Sequence, residues 1–263
     1  MAHDFNTAIV REVAHRPWRL PDEPWIMTQS WHDLLFAHWS LPPDELRSKV
    51  PADFELDVFD DRAWIGIVPF QMTNVTLRGL PILPRISEFP EVNVRTYVRV
   101  GDRPGIYFFS LDAGSLLAVK AARVLLNLPY YLASMKVTRH ANVVDYESRR
   151  EGEDGKAEFI ATYEPTGSTF AAAKGSLEYF LTERYCLYHT DHRGAPYRLE
   201  IHHPPWKLQL AQAAFSRNTM AAAAAVALPD RAPLLHFAKR QDMVAWRPTT
   251  LGDRAHLETN RFN

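Results

Sequence analysis

A chain of 263 residues that is 46% hydrophobic and 12% aromatic has the material for a large core, which excludes intrinsic disorder over most of its length. Thirty Lys and Arg against 31 Asp and Glu leave a formal net charge of −1, so neither nucleic acid nor an anionic membrane is expected as a partner. The single cysteine, Cys186, permits no internal disulfide. With no signal-peptide pattern and no run of about eighteen apolar residues, a cytoplasmic location is expected.

Residues 1–24 mix charge with Pro17, Pro21 and Pro24 and read as an irregular N-terminal segment, with residues 25–263 as a single domain. An apolar run from Trp31 to Trp39 predicts a strand, and Pro42-Pro43 then starts a short helix over 44–50. Residues 63–70 are β-branched and aromatic, a second strand; 78–90 is a Pro/Gly loop. Val92, Val94, Thr96, Val98 and Val100 alternate with Glu91, Asn93, Arg95, Tyr97 and Arg99, the period of a strand. Gly101-Asp102-Arg103-Pro104-Gly105 turns this strand into another at 106–111. Leu117, Ala121, Val124, Leu125 and Leu128 recur at helical spacing opposite Lys120, Arg123 and Asn127, and Pro129 ends that helix.

Further strands are expected at 137–146 and 157–163, with 168–180 continuing the sheet. Residues 185–190 and 197–202 form a hairpin across Asp191-His192-Arg193-Gly194. A strand ends the 206–215 stretch, Asn218 or Thr219 caps a short Ala helix, and 235–246 is the last strand. No repeat or composition break divides the chain, and no exposed apolar patch is marked in it.

The glycine-rich phosphate loops, the serine-hydrolase elbow and the H-E-x-x-H pattern are all missing, and 11 glycines leave little for a phosphate cradle. His189, His192, His202 and His203 flank the second hairpin, but His202 and His203 are adjacent on a strand and point to opposite faces. No acidic residue or cysteine completes a ligand spacing, so neither metal nor cofactor is expected. The strand 91–99 leaves two alternatives open. Its polar face is either the solvated side of a sheet or the lining of an interior cavity.

The segments SWHDLLFAHWSLPPDELRSKVP, AWIGIVPFQM, FPEVNVRTYV, GIYFFSLDA, ARVLLNLPYYLASM, SLEYFLTERYCLY and HHPPWKLQ, in this order, resemble the YqjF-like family of bacterial proteins, from about Trp31 to Trp246. That family is similar in fold to acetoacetate decarboxylase. The resemblance implies an α+β domain, mainly antiparallel β, with a closed barrel and helices packed around it. It also implies that the polar face of the 91–99 strand looks into a cavity. FPEVNV resembles the decarboxylase strand that carries an active-site glutamate, which puts Glu91 in that role. ARVLLNLPYYLASM resembles the decarboxylase helix followed by Pro-Lys-Lys, so Pro129 matches the proline. Tyr130 and Tyr131 then stand where the decarboxylase has its Schiff-base lysine and the lysine beside it.

Tyrosine has no amine and forms no imine, so acetoacetate decarboxylase activity is not expected. Lys120, Lys136 and Lys174 each lack a lysine neighbour that would depress the pKa, and read as solvated. The expected site has Glu91 as general acid or base and Tyr130 as donor to a carbonyl or oxyanion. Arg95, Tyr97, His38 and Arg78 are candidates for holding substrate, Arg95 by a bidentate pair with a carboxylate. Glu183 and Arg184 are expected to belong to a structural ion pair, though either could reach a barrel mouth. The function expected is a cofactor-independent lyase-like or hydrolase-like enzyme for a small carbonyl or carboxylate compound, with a non-catalytic binding protein as the alternative. A homo-oligomer is compatible with either.

Overall fold

The computed structural model describes residues 8–80, 87–152 and 156–252. Among them thirteen strands join in one sheet. In chain order these are β1 (Met27–Leu41), β2 (Glu55–Leu56), β3 (Ala63–Leu77), β4 (Phe89–Val100), β5 (Arg103–Ala113), β6 (Tyr130–His140), β7 (Val143–Arg150), β8 (Glu158–Phe170), β9 (Cys186–Thr190), β10 (Pro196–His202), β11 (Leu208–Asn218), β12 (Leu234–Ala245) and β13 (Thr249–Thr250). Four short helices interrupt them: α1 (Pro43–Arg47), α2 (Leu116–Leu126), α3 (Leu177–Thr182) and α4 (Met220–Ala223). None of the described helices is long and apolar enough to cross a membrane.

The sheet closes twice. A large ring runs β4–β5–β6–β7–β8–β11–β12–β1–β3 and returns to β4. A smaller ring uses the same β12–β1–β3–β4–β5 wall and closes through β9 and β10. Strands β5 and β12 are the forks, since each pairs with members of both rings. Most pairings are antiparallel; β5 runs parallel to β6 and β9. A parallel neighbour needs a crossover, and between β5 and β6 that crossover is α2.

Such closure needs coiled strands. Bulges between His32 and Ala37 and near Ser30 bend β1 against β3, and Asp33 and Asn74 there take left-handed φ of 51° and 55°, which short polar side chains tolerate. Asp33 is anchored on all sides, by Lys239 at 2.6 Å, by Arg139, and by the Tyr163 hydroxyl on its carbonyl at 2.8 Å.

The shared wall is buried on both faces. On one, Val92, Val94 and Val98 pack with Leu35, Ala37, Ile65, Ile67, Tyr146, Phe159 and Tyr163, the core of the large ring. On the other, Leu34, Phe36, Val68, Phe70, Met72 and Phe89 face Leu111, Leu128 and Trp206. Residues 8–24 pack against the outside of β10 and β12. Ile9 joins Val244 and Trp246, and the Arg16 guanidinium pairs with Glu200 and donates to the Ile201 carbonyl at 2.6 Å.

Three predicted elements need correction. The single strand expected over 137–146 is a hairpin, β6–β7, turned at Ala141 with φ 55° and no glycine to announce it. The sheet expected to continue over 168–180 stops at Phe170, and Ser176 then caps α3 by accepting from the Tyr179 amide. Helix α2 forms where predicted, with Lys120 and Arg123 exposed as expected, but most of its apolar stripe is exposed as well. Val119 is its buried residue, whereas Leu117, Val124 and Leu125 are 61%, 70% and 73% exposed. The helix spans a hollow instead of a filled core, so much of its apolar stripe has nothing beneath it.

Candidate active site

Inside the smaller ring lies a cavity of about 540 Å³. Glu91, Asn93 and Arg95 line it from β4, because alternate residues of a strand share a face. Pairing sets their depth: Glu91 lies opposite Phe70, Asn93 opposite Val68 and Arg95 opposite Gly66. The polar face of the period-2 strand is therefore an interior surface.

Glu91 is 2% exposed. Its Oε2 accepts from the Tyr130 hydroxyl at 2.9 Å, and Asn93 supplies a second hydrogen bond. Burial raises the Glu91 pKa from 4.5 to about 7; the two hydrogen bonds pull against this and nearby Asp112 adds to it. Tyr130 is held well above the ordinary tyrosine range by burial and by Glu91, so it stays a neutral donor. The helix–proline–strand sequence places it. Asn127 ends α2 with φ 49°, Pro129 gives its carbonyl to the Leu111 amide, and β6 starts with Tyr130 beside Leu111. Tyr131, next on the strand, faces away and carries the Arg150 guanidinium 3.8 Å above its ring. Arg150 also makes a two-pronged pair with Asp112, at 2.8 and 2.7 Å, which is almost fully buried. That pair braces β5 against β7 directly behind Glu91.

Arg95 is buried, stacks 5.3 Å over Phe36 and makes a long 3.5 Å bond to the Leu181 carbonyl, while its Nε has no partner. The Oδ1 of Asn93 is likewise buried without a partner. Both residues line one cavity from neighbouring positions on one face of the strand.

Tyr97 and His38 do not reach the lining. Tyr97 donates to the Leu181 carbonyl at 2.8 Å and stands 2.7 Å from His38 Nε2, so His38 is the donor in that second contact. Burial, with Arg95 and His236 nearby, holds the His38 pKa well below 6.5, so the ring is neutral. The pair is a support behind Arg95. Arg78 also lies outside: it is exposed and rests 4.9 Å from the Trp25 ring. Of Glu183 and Arg184, only Arg184 is in an ion pair among the described residues. Glu183 takes the Tyr185 hydroxyl and the Trp206 amide, and Arg184 pairs with Asp57 at 2.6 Å while lining the cavity. Arg184 lines the cavity, where the sequence reading allowed it to reach a barrel mouth; Asn93 was not singled out, although the signal was present, since it shares the face of Glu91 and Arg95.

The histidines of the second hairpin are dispersed. His189 stacks on Tyr107, His192 meets the Val124 carbonyl, His202 meets the Ile9 carbonyl and His203 lines the cavity. Among the described residues no three His, Cys, Asp or Glu side chains gather as a metal-ligand set. None of the described lining residues is a lysine; Lys120, Lys136 and Lys174 are exposed.

Residues 28–242 match the DUF2071 family, described as an uncharacterized conserved protein. The chain belongs to that family. Its relatives within reach of sequence comparison include YqjF of Bacillus subtilis (strain 168), 48% identical over 227 residues, which cover 86% of this chain and 93% of that protein. The DUF2071 chain also shares its fold with two solved enzymes. The enduracididine biosynthesis enzyme MppR, complexed with the condensation product of pyruvate and imidazole 4-carboxaldehyde, matches with a TM-score of 0.59 at 12% identity, over 87% of this chain and 90% of that one. Acetoacetate decarboxylase from Legionella pneumophila matches with a TM-score of 0.57 at 14% identity, over 94% and 96%. The DUF2071 fold is thus acetoacetate-decarboxylase-like, as the resemblance implied.

Proposed function

We propose that this protein is an enzyme that moves a proton on a small carbonyl-containing carboxylate, with Glu91 as acid and base and no Schiff-base lysine. One observation carries the reading: a buried carboxyl with a pKa of about 7 shares a cavity with a buried guanidinium whose Nε is unpartnered. Arg95 receives the substrate carboxylate on its planar fork. Glu91, close to half ionised at neutral pH, accepts a proton from the carbon next to the carbonyl. In doing so it no longer needs the Tyr130 hydrogen bond, and the freed hydroxyl turns to the oxygen that gains charge. The fold relatives support the substrate class, since MppR holds a pyruvate-derived product.

The second reading, a binding protein without chemistry, draws on the absence of lysine among the described lining residues. Solvent deuterium exchange into 2-oxo and 3-oxo acids, followed by proton NMR, separates the two. The enzyme reading expects exchange that Glu91→Gln abolishes. Binding of such acids by the wild-type protein with no exchange above the buffer rate hands the site to the second reading.

A further inference from the structure

The cavity is far larger than its polar end. A water molecule's share of liquid is about 30 Å³, so a volume of about 540 Å³ would hold roughly eighteen waters or similar atoms, and a short keto acid of about seven non-hydrogen atoms leaves more than half empty. The remainder is mostly apolar. Along β3 the apolar lining residues are Val68, Phe70, Met72, Val75 and Leu77. They run from the level of Asn93 to the surface, where Leu77 is 49% exposed. At about 3.3 Å per residue this is a path of about 30 Å. At its outer end the lining is Leu77, Leu80, Leu117 and Leu125, all exposed, so the patch not marked in the sequence is the mouth of the cavity. Water is a poor filler for such a wall, which offers it few hydrogen-bond partners.

We propose that the ligand is an amphipathic carboxylate, its head at Arg95 and Glu91 and an apolar alkyl or aryl tail lying along β3 beneath α2 to the leucine mouth. The head rests on the reading given under Proposed function; the tail is an independent addition. The tail covers the apolar faces of α2 and β3 that the fold leaves open, and the positive charge of Arg95 at the inner end fixes which end enters first. A second copy of this chain seated on the leucines is the competing occupant. It would leave the inner, enclosed length of the wall unfilled.

Isothermal titration with butanoate, hexanoate, octanoate and decanoate tests this. The expected result is a roughly three- to fourfold tightening per methylene along the series, the transfer gain for burying each one. Ala122→Phe, which narrows the tail path, should weaken octanoate more than butanoate, and the surface variant Leu125→Glu should do the same for decanoate. Arg95→Met should weaken every acid, and methyl octanoate should bind less tightly than octanoate. Affinity that is flat with chain length overturns the tail while leaving the head reading intact. No binding by any acid overturns both. A dimer in sedimentation that Leu125→Glu dissociates, together with flat affinity, assigns the leucines to a second copy and also overturns the tail.

Discussion

Replacing Glu91 with Gln keeps the shape of the side chain and removes its titration, and the consequence can be worked from the structure. Burial moves the Glu91 carboxyl from 4.5 to about 7 in the folded protein, a difference worth about 3 kcal/mol. Below the unfolded value of 4.5 both states carry the proton, and the stabilisation from this group is fully present. As the pH climbs, the unfolded chain releases the proton while the folded one retains it. The contribution is lost progressively up to about 7, and above that it stays lost. The amide of the Glu91→Gln variant has no such dependence. Every other titrating group is common to both proteins, so the difference between their unfolding free energies isolates Glu91. That difference should shift in favour of the variant by about 3 kcal/mol between pH 4.5 and neutrality, equivalent to roughly 6–12 °C in Tm for a chain of this size. Urea denaturation of both proteins at closely spaced pH values measures it. A gap that stays constant over the window would refute a buried, proton-holding Glu91, and the acid–base proposal would go with it. Adding Tyr130→Phe should push the midpoint of the wild-type loss above 7, because that hydroxyl stabilises the charged form.

Three further expectations can be checked with standard measurements. Asp112→Ala strands the buried Arg150 guanidinium and should lower stability by about 3–5 kcal/mol in denaturant titrations; a loss below about 1 kcal/mol would mean the pair is solvated. A Cβ at Gly66 would come within 2.9 Å of the His38 ring, so Gly66→Val should cost about 1–3 kcal/mol and shift the His38 NMR signals, and a silent substitution would contradict the close approach. Incubation with acetoacetate and borohydride should leave no reduced adduct, and stoichiometric labelling of Lys120, Lys136 or Lys174 would revive an imine mechanism.

Most of the strands and their order were legible in the residues alone, from simple signals. Period-2 alternation marked β4, the Gly-Asp-Arg-Pro-Gly turn paired it with β5, and Pro129 ended α2 so that Tyr130 could open a new strand. The same alternation put Glu91, Asn93 and Arg95 on one face. It did not show what that face looks at, because an outer sheet face and a cavity wall have the same period. Only the second closure of the sheet, through β9 and β10 onto the forked strands β5 and β12, encloses those side chains and desolvates Glu91. Tertiary packing also placed Tyr97 and His38 behind Arg95 and left Arg78 outside, distinctions of depth that alternation along one strand does not encode. The exposed apolar stripe of α2 has the same origin: helical spacing shows that a helix has an apolar stripe, but whether the stripe meets a core or a cavity depends on distant strands.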